Sequence, residues 1–385
     1  MSEKKFFIRL SLVVLVFFGG FSRSQAQSNV ISGQTRAITT AVPFLLISPD
    51  SRFGALGDAG VALCDDANAT HWNLSGLAFS KHKSGVGISY TPWLRQLVPD
   101  INLGYLSGFY NLGEKAGVIA GSLRFFSLGE IIFTDEQATE TGRFNASEFA
   151  IDMGYTRKVT DNFSAGVALR FIYSNLAASR GTTFGETKPG VSAAGDINMK
   201  YQKDFSAKGG GKEIPLTFAW GLNLTNMGAK ISYVNASNNR DFLPTNLKVG
   251  ILLKGALDDY NSLSLIVDGN KLQVPTEGGQ SKKTLIDGMI SSWADAPDGF
   301  KEELQEWNLS TGLEYWYNNL LAVRAGWFYE NQYKGARNYI TLGAGIRYQV
   351  FGLDFAYLAS LKQNHPLQNT MRFSLSLNFD SAKNR

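Results

Sequence analysis

Phe163-Ser164-Ala165-Gly166-Val167-Ala168-Leu169-Arg170-Phe171-Ile172-Tyr173 is the stretch that decides the fold. Phe163, Ala165, Val167, Leu169, Phe171 and Tyr173 fall on every second position, and Ser164, Gly166, Ala168, Arg170 and Ile172 fall between them. Successive side chains of a strand point to opposite faces, so one face here is apolar and the other mostly small or polar. The same period returns at Ile340, Leu342, Ala344, Ile346 and Tyr348, with Thr341, Gly343, Gly345 and Arg347 between them. It closes the chain as Met371, Phe373, Leu375, Leu377 and Phe379 against Arg372, Ser374, Ser376 and Asn378.

Working outward, fourteen segments read this way: 84–91, 101–110, 116–125, 144–157, 163–173, 192–203, 214–226, 246–253, 262–268, 308–317, 320–329, 340–349, 352–360 and 370–379. Most run to about ten residues, the length at which a tilted strand crosses a bilayer. A soluble β-sandwich alternates too, so two further features decide. Tyr90, Tyr105, Phe109, Tyr155, Tyr173, Tyr201, Tyr315, Tyr317, Trp327, Tyr329, Tyr348 and Tyr357 sit on apolar positions, mostly near strand ends. A barrel in lipid places aromatic girdles there. The connections also alternate between longer (92–100, 126–143, 174–191, 227–245, 269–307, 330–339, 361–369) and generally shorter (111–115, 158–162, 204–213, 254–261, 318–319, 350–351). That rhythm belongs to outer-membrane barrels. The expected fold is all-β: a transmembrane barrel of about fourteen antiparallel strands over 84–385, with its long loops outside the cell.

Composition agrees. The chain has 385 residues, of which 18% are charged, below the roughly 25% of soluble domains. It holds 40 glycines without a three-residue period, which excludes collagen. Cys64 stands alone, which excludes a disulfide framework and a cysteine zinc site. Residues 1–26 read as a signal peptide: Lys4, Lys5 and Arg9, then the run Leu10–Phe18, then Ser24-Gln25-Ala26 as the cleavage site. Its removal takes three of the four net positive charges and leaves about +1 from Gln27 onward. So balanced a chain has no basic face for nucleic acid.

Two segments stand outside the strand rhythm. Residues 27–83 contain Pro43-Phe44-Leu45-Leu46-Ile47 and a small-residue stretch from Gly54 to Ala69. Irregular backbone cannot face lipid, so this segment is expected as a plug inside the barrel, with Gly54, Gly57, Asp58 and Gly60 as its close-packing residues. Residues 269–307 carry Leu285, Ile286, Met289, Ile290, Trp293, Phe300 and Leu304 and predict two short amphipathic helices broken by Pro297.

Candidates for chemistry are few. His71, His82 and His365 lack the i+4 partner of a zinc protease. Cys64 and His71 lie near Asp65 and Asp66, yet a lone cysteine is ordinarily a packing residue. Gly54, Gly57 and Gly60 lack the Lys-Ser/Thr of a phosphate loop. Asp295, Asp298, Glu302, Glu303 and Glu306 lack the order of a calcium loop and read as a solvated helix face. No catalytic residue, metal site or cofactor is expected.

Two blocks carry a family resemblance. The first is Ser48-Pro49-Asp50-Ser51-Arg52-Phe53-Gly54-Ala55-Leu56-Gly57-Asp58-Ala59-Gly60-Val61-Ala62, continued by Asp65-Asp66-Ala67-Asn68-Ala69-Thr70-His71-Trp72-Asn73 and Leu77-Ala78-Phe79. The second is Ile88-Ser89-Tyr90-Thr91-Pro92-Trp93-Leu94-Arg95 with Leu97-Val98-Pro99-Asp100-Ile101. Together they resemble the PorV (LptO) family of the type IX secretion system of Bacteroidota, within the wider FadL-like group. The resemblance spans essentially all of the chain after the leader. It implies an outer-membrane barrel that binds cargo carrying a C-terminal signal domain at a translocon barrel of the Sov/SprA type and passes it to a PorU-type sortase, in contact with outer-membrane lipid and lipopolysaccharide. It implies no catalytic residue. A FadL-like transporter of small hydrophobic compounds is the alternative, and a lipopolysaccharide deacylase the third reading. The residues expected to meet protein partners are Trp93, Leu94 and Leu97 in the first outer loop, then Trp293 and Phe300.

Overall fold

A computed structural model describes residues 36–95, 98, 100–135, 137–176, 181–182, 185–209, 212–234, 240–277, 281–362 and 365–380. The leader over 1–26 and the start at Gln27 lie outside these residues. The strands are β1 (Ser84–Pro92), β2 (Asn102–Gly113), β3 (Gly117–Thr134), β4 (Glu140–Thr160) and β5 (Phe163–Asn175). A two-residue ribbon follows, β6 (Gly181–Thr182) and β7 (Gly185–Glu186). Then come β8 (Gly190–Gly209), β9 (Lys212–Gly228), β10 (Asn246–Ala256), β11 (Asn261–Leu272) and β12 (Asn308–Tyr317). The last four are β13 (Leu321–Tyr329), β14 (Asn338–Tyr348), β15 (Phe351–Ser360) and β16 (Thr370–Phe379). Apart from the ribbon, all pair antiparallel with their neighbours in chain order, and β1 pairs with β16 to close a fourteen-stranded barrel. Closure leaves no strand edge in the lipid.

The period-two pattern sets which face is which. In β5, Ser164, Ala168, Arg170 and Ile172 are buried, while Val167, Leu169 and Phe171 are exposed to the membrane side. Tyr317 and Tyr348 mark one end of the exposed apolar band and Tyr329 the other. Connections at one end are short (114–116, 161–162, 210–211, 257–260, 318–320, 349–350), and those at the other are longer (93–101, 135–139, 176–189, 229–245, 273–307, 330–337, 361–369). The long-loop end is the extracellular one. No helix among the described residues is long and apolar enough to cross a membrane; the strands do the crossing.

Three expectations are corrected. Tyr105 and Phe109 face inward, at 2% and 6% exposure, not toward the lipid. An inward aromatic is stable there because the lumen holds apolar chain for it to meet: Phe109 joins the cluster of Leu74, Leu77 and Val118, and Tyr105 hydrogen-bonds Thr70 at 2.8 Å. The expected outer connection 126–143 is mostly strand, since β3 and β4 pair out to Thr134 and Glu140. Likewise β8 and β9 consume most of 204–213.

Residues 36–83 lie against inward-facing wall residues. Arg36 sits at the outer mouth, bonded to Tyr333, and Lys83 at the inner end, bonded to Phe379. The segment has only short helical turns, at Pro43–Leu46, Ser51–Gly54, Ala69–Trp72 and Leu74–Phe79. Its other amides need partners, and wall side chains supply them. Ser51 N donates to Ser374 Oγ at 2.9 Å, Gly57 N to Thr341 Oγ1 at 2.8 Å, and Leu74 N to Asn198 Oδ1 at 3.0 Å. Gly60 N and Val61 N both donate to Asp268 Oδ2, at 2.6 and 2.9 Å. Phe53, Leu56, Trp72 and Leu74 form the segment's buried apolar cluster. Wall glycines make the room. A Cβ on Gly326 would land on the Leu56–Gly57 peptide, and one on Gly221 on the Val61 carbonyl. Gly57 itself combines a φ of +69° with contact to the Trp327 backbone, which only glycine tolerates.

Gly326→Val tests this packing, because valine suits a strand and offends only the segment. The variant is expected to keep the heat-modifiable gel mobility of a folded barrel while trypsin gains access to the bond after Arg52. Wild-type protease resistance at Arg52 would contradict the packing described.

Candidate functional site at the outer mouth

The longest connection, 273–307, forms a cap over the mouth. Thr284 opens its first helix, Leu285–Ser291, by accepting from Asp287 N. Gly299, at φ +69°, separates it from the second, Phe300–Gln305. The acidic residues there are not the solvated face expected: Glu302, Glu303 and Glu306 are buried. Cations far away in sequence bury them. Lys334 Nζ lies 2.7 Å from Glu302 and 2.9 Å from Glu306. Lys271 Nζ lies 3.1 Å from Glu303 and also bonds Glu306. Arg36 reaches Glu302 at 3.0 Å and Asp298 at 3.3 Å. Glu303 and Glu302 also accept from Ala296 N and Asp298 N, both at 2.9 Å. Burial opposes the charge of Glu302, but the Lys334 hydrogen bond and its neighbours outweigh it and hold the carboxyl below its ordinary value of 4.5.

With Glu302, Glu303 and Glu306 turned inward, the cap shows several apolar residues outward. Ile286, Ile290, Trp293, Phe300 and Leu304 are all exposed, Ile290 at 70% and Phe300 at 77%. Trp293 rests edge-on against Trp307 at 6.2 Å. A second apolar projection is the tip of the β3–β4 hairpin. Pairing to β2 stops at Ser127 and pairing to β5 at Ser147, so the paired stretches Ile131–Thr134 and Glu140–Phe144 extend past the neighbouring strands. Ile131 and Ile132 are exposed there. The sequence reading missed this arm by treating it as loop, although the β-branched pair before Phe133 signals strand.

Between residues 38–48 and the wall, beside Glu306 of the cap, lies a cleft of about 590 Å³. Trp93 and Leu94 line it, half-buried rather than projecting. Trp93 N donates to Ile101 O at 2.9 Å, and Trp93 packs against two buried clusters, one containing Phe126 and the other Phe328 and Leu358. Leu97 lies outside the described residues. Below the cleft, Asp58 accepts from Arg372 at 2.9 Å and Tyr339 at 2.7 Å. Gly54 lies against the Arg372 side chain.

Deeper still, charged wall residues grip the segment. Arg52 makes a two-pronged contact with Glu314, at 3.0 and 3.1 Å, and bonds Asp66 at 2.8 Å. Glu314 also accepts from Arg324 at 2.6 Å, and Arg324 donates on to Asp354 at 2.8 Å. Arg124 donates to Leu45 O at 2.7 Å and to His71 Nδ1 at 2.6 Å. A guanidinium only donates, so His71 carries its proton on Nε2. Burial, then the Arg124 charge, pushes its pKa well down. Cys64 is buried with its sulfur 3.8 Å from Asp66 Oδ1, and burial pushes the thiol well up.

The profile of the family described as "Type IX secretion system protein PorV" matches residues 30–278. No curated sequence matches the chain. Among solved structures, the toluene transporter TodX of Pseudomonas putida is 10% identical with a TM-score of 0.46, covering 91% of this chain and 100% of TodX. A FadL homologue of Pseudomonas aeruginosa is 13% identical with a TM-score of 0.40, covering 89% and 100%. The CymD monoaromatic hydrocarbon channel is 12% identical with a TM-score of 0.48, covering 87% and 99%.

The acid cluster generates a prediction. A carboxyl with a depressed pKa stabilises the folded state above its ordinary value, and that contribution is lost as pH falls through the folded value. Hydrogen-exchange protection of 285–307, corrected for intrinsic rates, is therefore expected to fall on acidification from pH 4.5 downward. Lys334→Ala leaves buried carboxylates short of a partner, at a cost of roughly 3–5 kcal/mol, and removes much of that protection already at pH 7. Full protection in Lys334→Ala at pH 7 would refute the ionic seating of the cap.

Proposed function

This chain belongs to the PorV family of type IX secretion system proteins, and from that premise we propose that it is a docking and carrier barrel that works at its outer mouth. It binds secreted cargo through the C-terminal signal domain at a Sov/SprA-type translocon and hands it to a PorU-type sortase. Residues 36–83 act as a plug. The observation that carries the reading is the cap, whose Glu302, Glu303 and Glu306 are paired internally and whose Ile290, Trp293 and Phe300 are left in water. Exposed apolar surface costs about 25 cal/mol per Å², and contiguous patches of it mark interaction sites. Ionic seating presents it pre-formed, so little ordering entropy is lost on docking. Trp93 and Leu94 contribute from beneath, through the cleft.

A non-enzymatic role fits the chain's own candidates for chemistry. A nucleophile needs an ionisable thiol and a base within reach. Cys64 is held as a neutral thiol beside Asp66, and the Nδ1 of His71 is occupied by Arg124.

Two measurements test this. Ile290→Ser with Phe300→Ser is expected to reduce co-purification of translocon and cargo about tenfold or more, the scale of a central interface anchor, with heat-modifiability unchanged. Undiminished co-purification would rule out the cap as the contact. Cys64→Ala is expected to leave secretion intact at normal outer-membrane levels. Loss of secretion at those levels would overturn the non-enzymatic reading.

A further inference from the structure

The floor of the outer cleft continues into a smaller cavity of about 70 Å³, sharing Leu46, Ser48 and Asp58 with the cleft above. Four of the residues lining the cavity carry a buried polar atom with no hydrogen-bond partner among the described residues: Ser48 Oγ, His71 Nε2, Asn246 Oδ1 and Asp268 Oδ1. All four residues are more than nine-tenths buried. Natural proteins seldom leave such atoms unpaired, and a cluster of them around one cavity marks a place where something polar is received.

The chemistry of those atoms narrows what fits. His71 Nδ1 is taken by Arg124, so the orphan Nε2 is a donor. Asp268 spends Oδ2 on Gly60 N and Val61 N, so Oδ1 is a free acceptor. Asn246 Oδ1 accepts only, and Ser48 does either. Lys248 also lines the cavity; its ammonium lies 5.1 Å over the Trp72 ring and has no ion-pair partner within 4 Å among the described residues. The charges balance locally. Lys248 stands against Asp268, Asp58 is paired with Arg372, and Glu330 with Arg337. A head group with a net charge would be desolvated without compensation, whereas hydroxyls answer donors and acceptors alike. The cleft above supplies the opposite surface: Phe44, Ile47, Trp93, Leu94, Phe126 and Leu128.

We propose that cleft and cavity together form a binding site for a single-chain amphiphile with a small, uncharged, hydroxyl-bearing head, the head seated among Ser48, His71, Asn246 and Asp268 and the chain lying against Trp93 and Phe126. The proposal is independent of the secretion role. It gives the mouth a lipid-like ligand, where the secretion reading gives it a protein.

The test is calorimetric binding to the full chain in lipid nanodiscs, with 1-monodecanoylglycerol, decanoate and decyltrimethylammonium as probes. Monodecanoylglycerol is expected to bind saturably at one per barrel, and each charged probe about tenfold or more weaker. Ser48→Ala and Asn246→Leu are each expected to weaken monodecanoylglycerol several-fold, as for a lost hydrogen bond, with heat-modifiability retained. Should either variant fail to fold, Leu94→Ala in the cleft wall provides a second arm and is expected to weaken all three probes. Absence of saturable binding would overturn the proposal. So would equal binding of the three probes, or wild-type binding by the folded Ser48 and Asn246 variants, since either outcome reduces the site to a greasy cleft over a hydrated floor.

Discussion

Arg52 of the N-terminal segment meets Glu314 of β12 in a two-pronged contact inside the barrel. A fourteen-stranded barrel is wide enough to conduct, and its inner wall here carries buried charges that neither lipid nor an apolar core would accept. Arg52 brings a guanidinium from the N-terminal segment into that wall, where Glu314, Arg324 and Asp354 continue the chain of charges. Buried ion pairs are costly to break, because each partner is left desolvated. The segment is therefore held by charge in the middle, by wall side chains along its amides, and by apolar packing around Phe53, Leu56 and Trp72. Wall glycines, Gly221 and Gly326 among them, leave the room that the segment occupies.

The outer mouth is where the long connections and residues 36–48 meet. The same device recurs there in a different form: Lys271, Lys334 and Arg36 draw Glu302, Glu303 and Glu306 inward, and the cap turns its isoleucines and aromatics outward as a result. Arg36 belongs to the N-terminal segment, so the seat of the cap and the filling of the lumen share a residue. The β3–β4 arm adds apolar surface beyond the barrel rim.

The barrel was legible because lipid on one side and a polar lumen on the other enforce a period of two in every strand, as in Val167, Leu169 and Phe171 against Ser164 and Arg170. The pattern broke where the lumen stopped being polar. Tyr105 and Phe109 look like girdle residues in sequence, and only their neighbours Thr70 and Leu74, some thirty residues earlier, turn them inward. Glu302, Glu303 and Glu306 misled for a related reason. Their lysine partners come from β11 and the β13–β14 loop, about thirty residues away on either side, and no local rule pairs them. The orphan polar atoms of Ser48, His71, Asn246 and Asp268 come from separate parts of the chain and meet only in three dimensions.

The proposed plug makes a prediction about conductance. Planar-bilayer recording of the purified protein tests it most directly. No stable large conductance is expected from the wild-type chain, and one is expected in a variant carrying both Arg52→Ala and Gly326→Val, which loosens the segment while leaving the strand ladder paired. A steady porin-like conductance from the wild-type chain would contradict it.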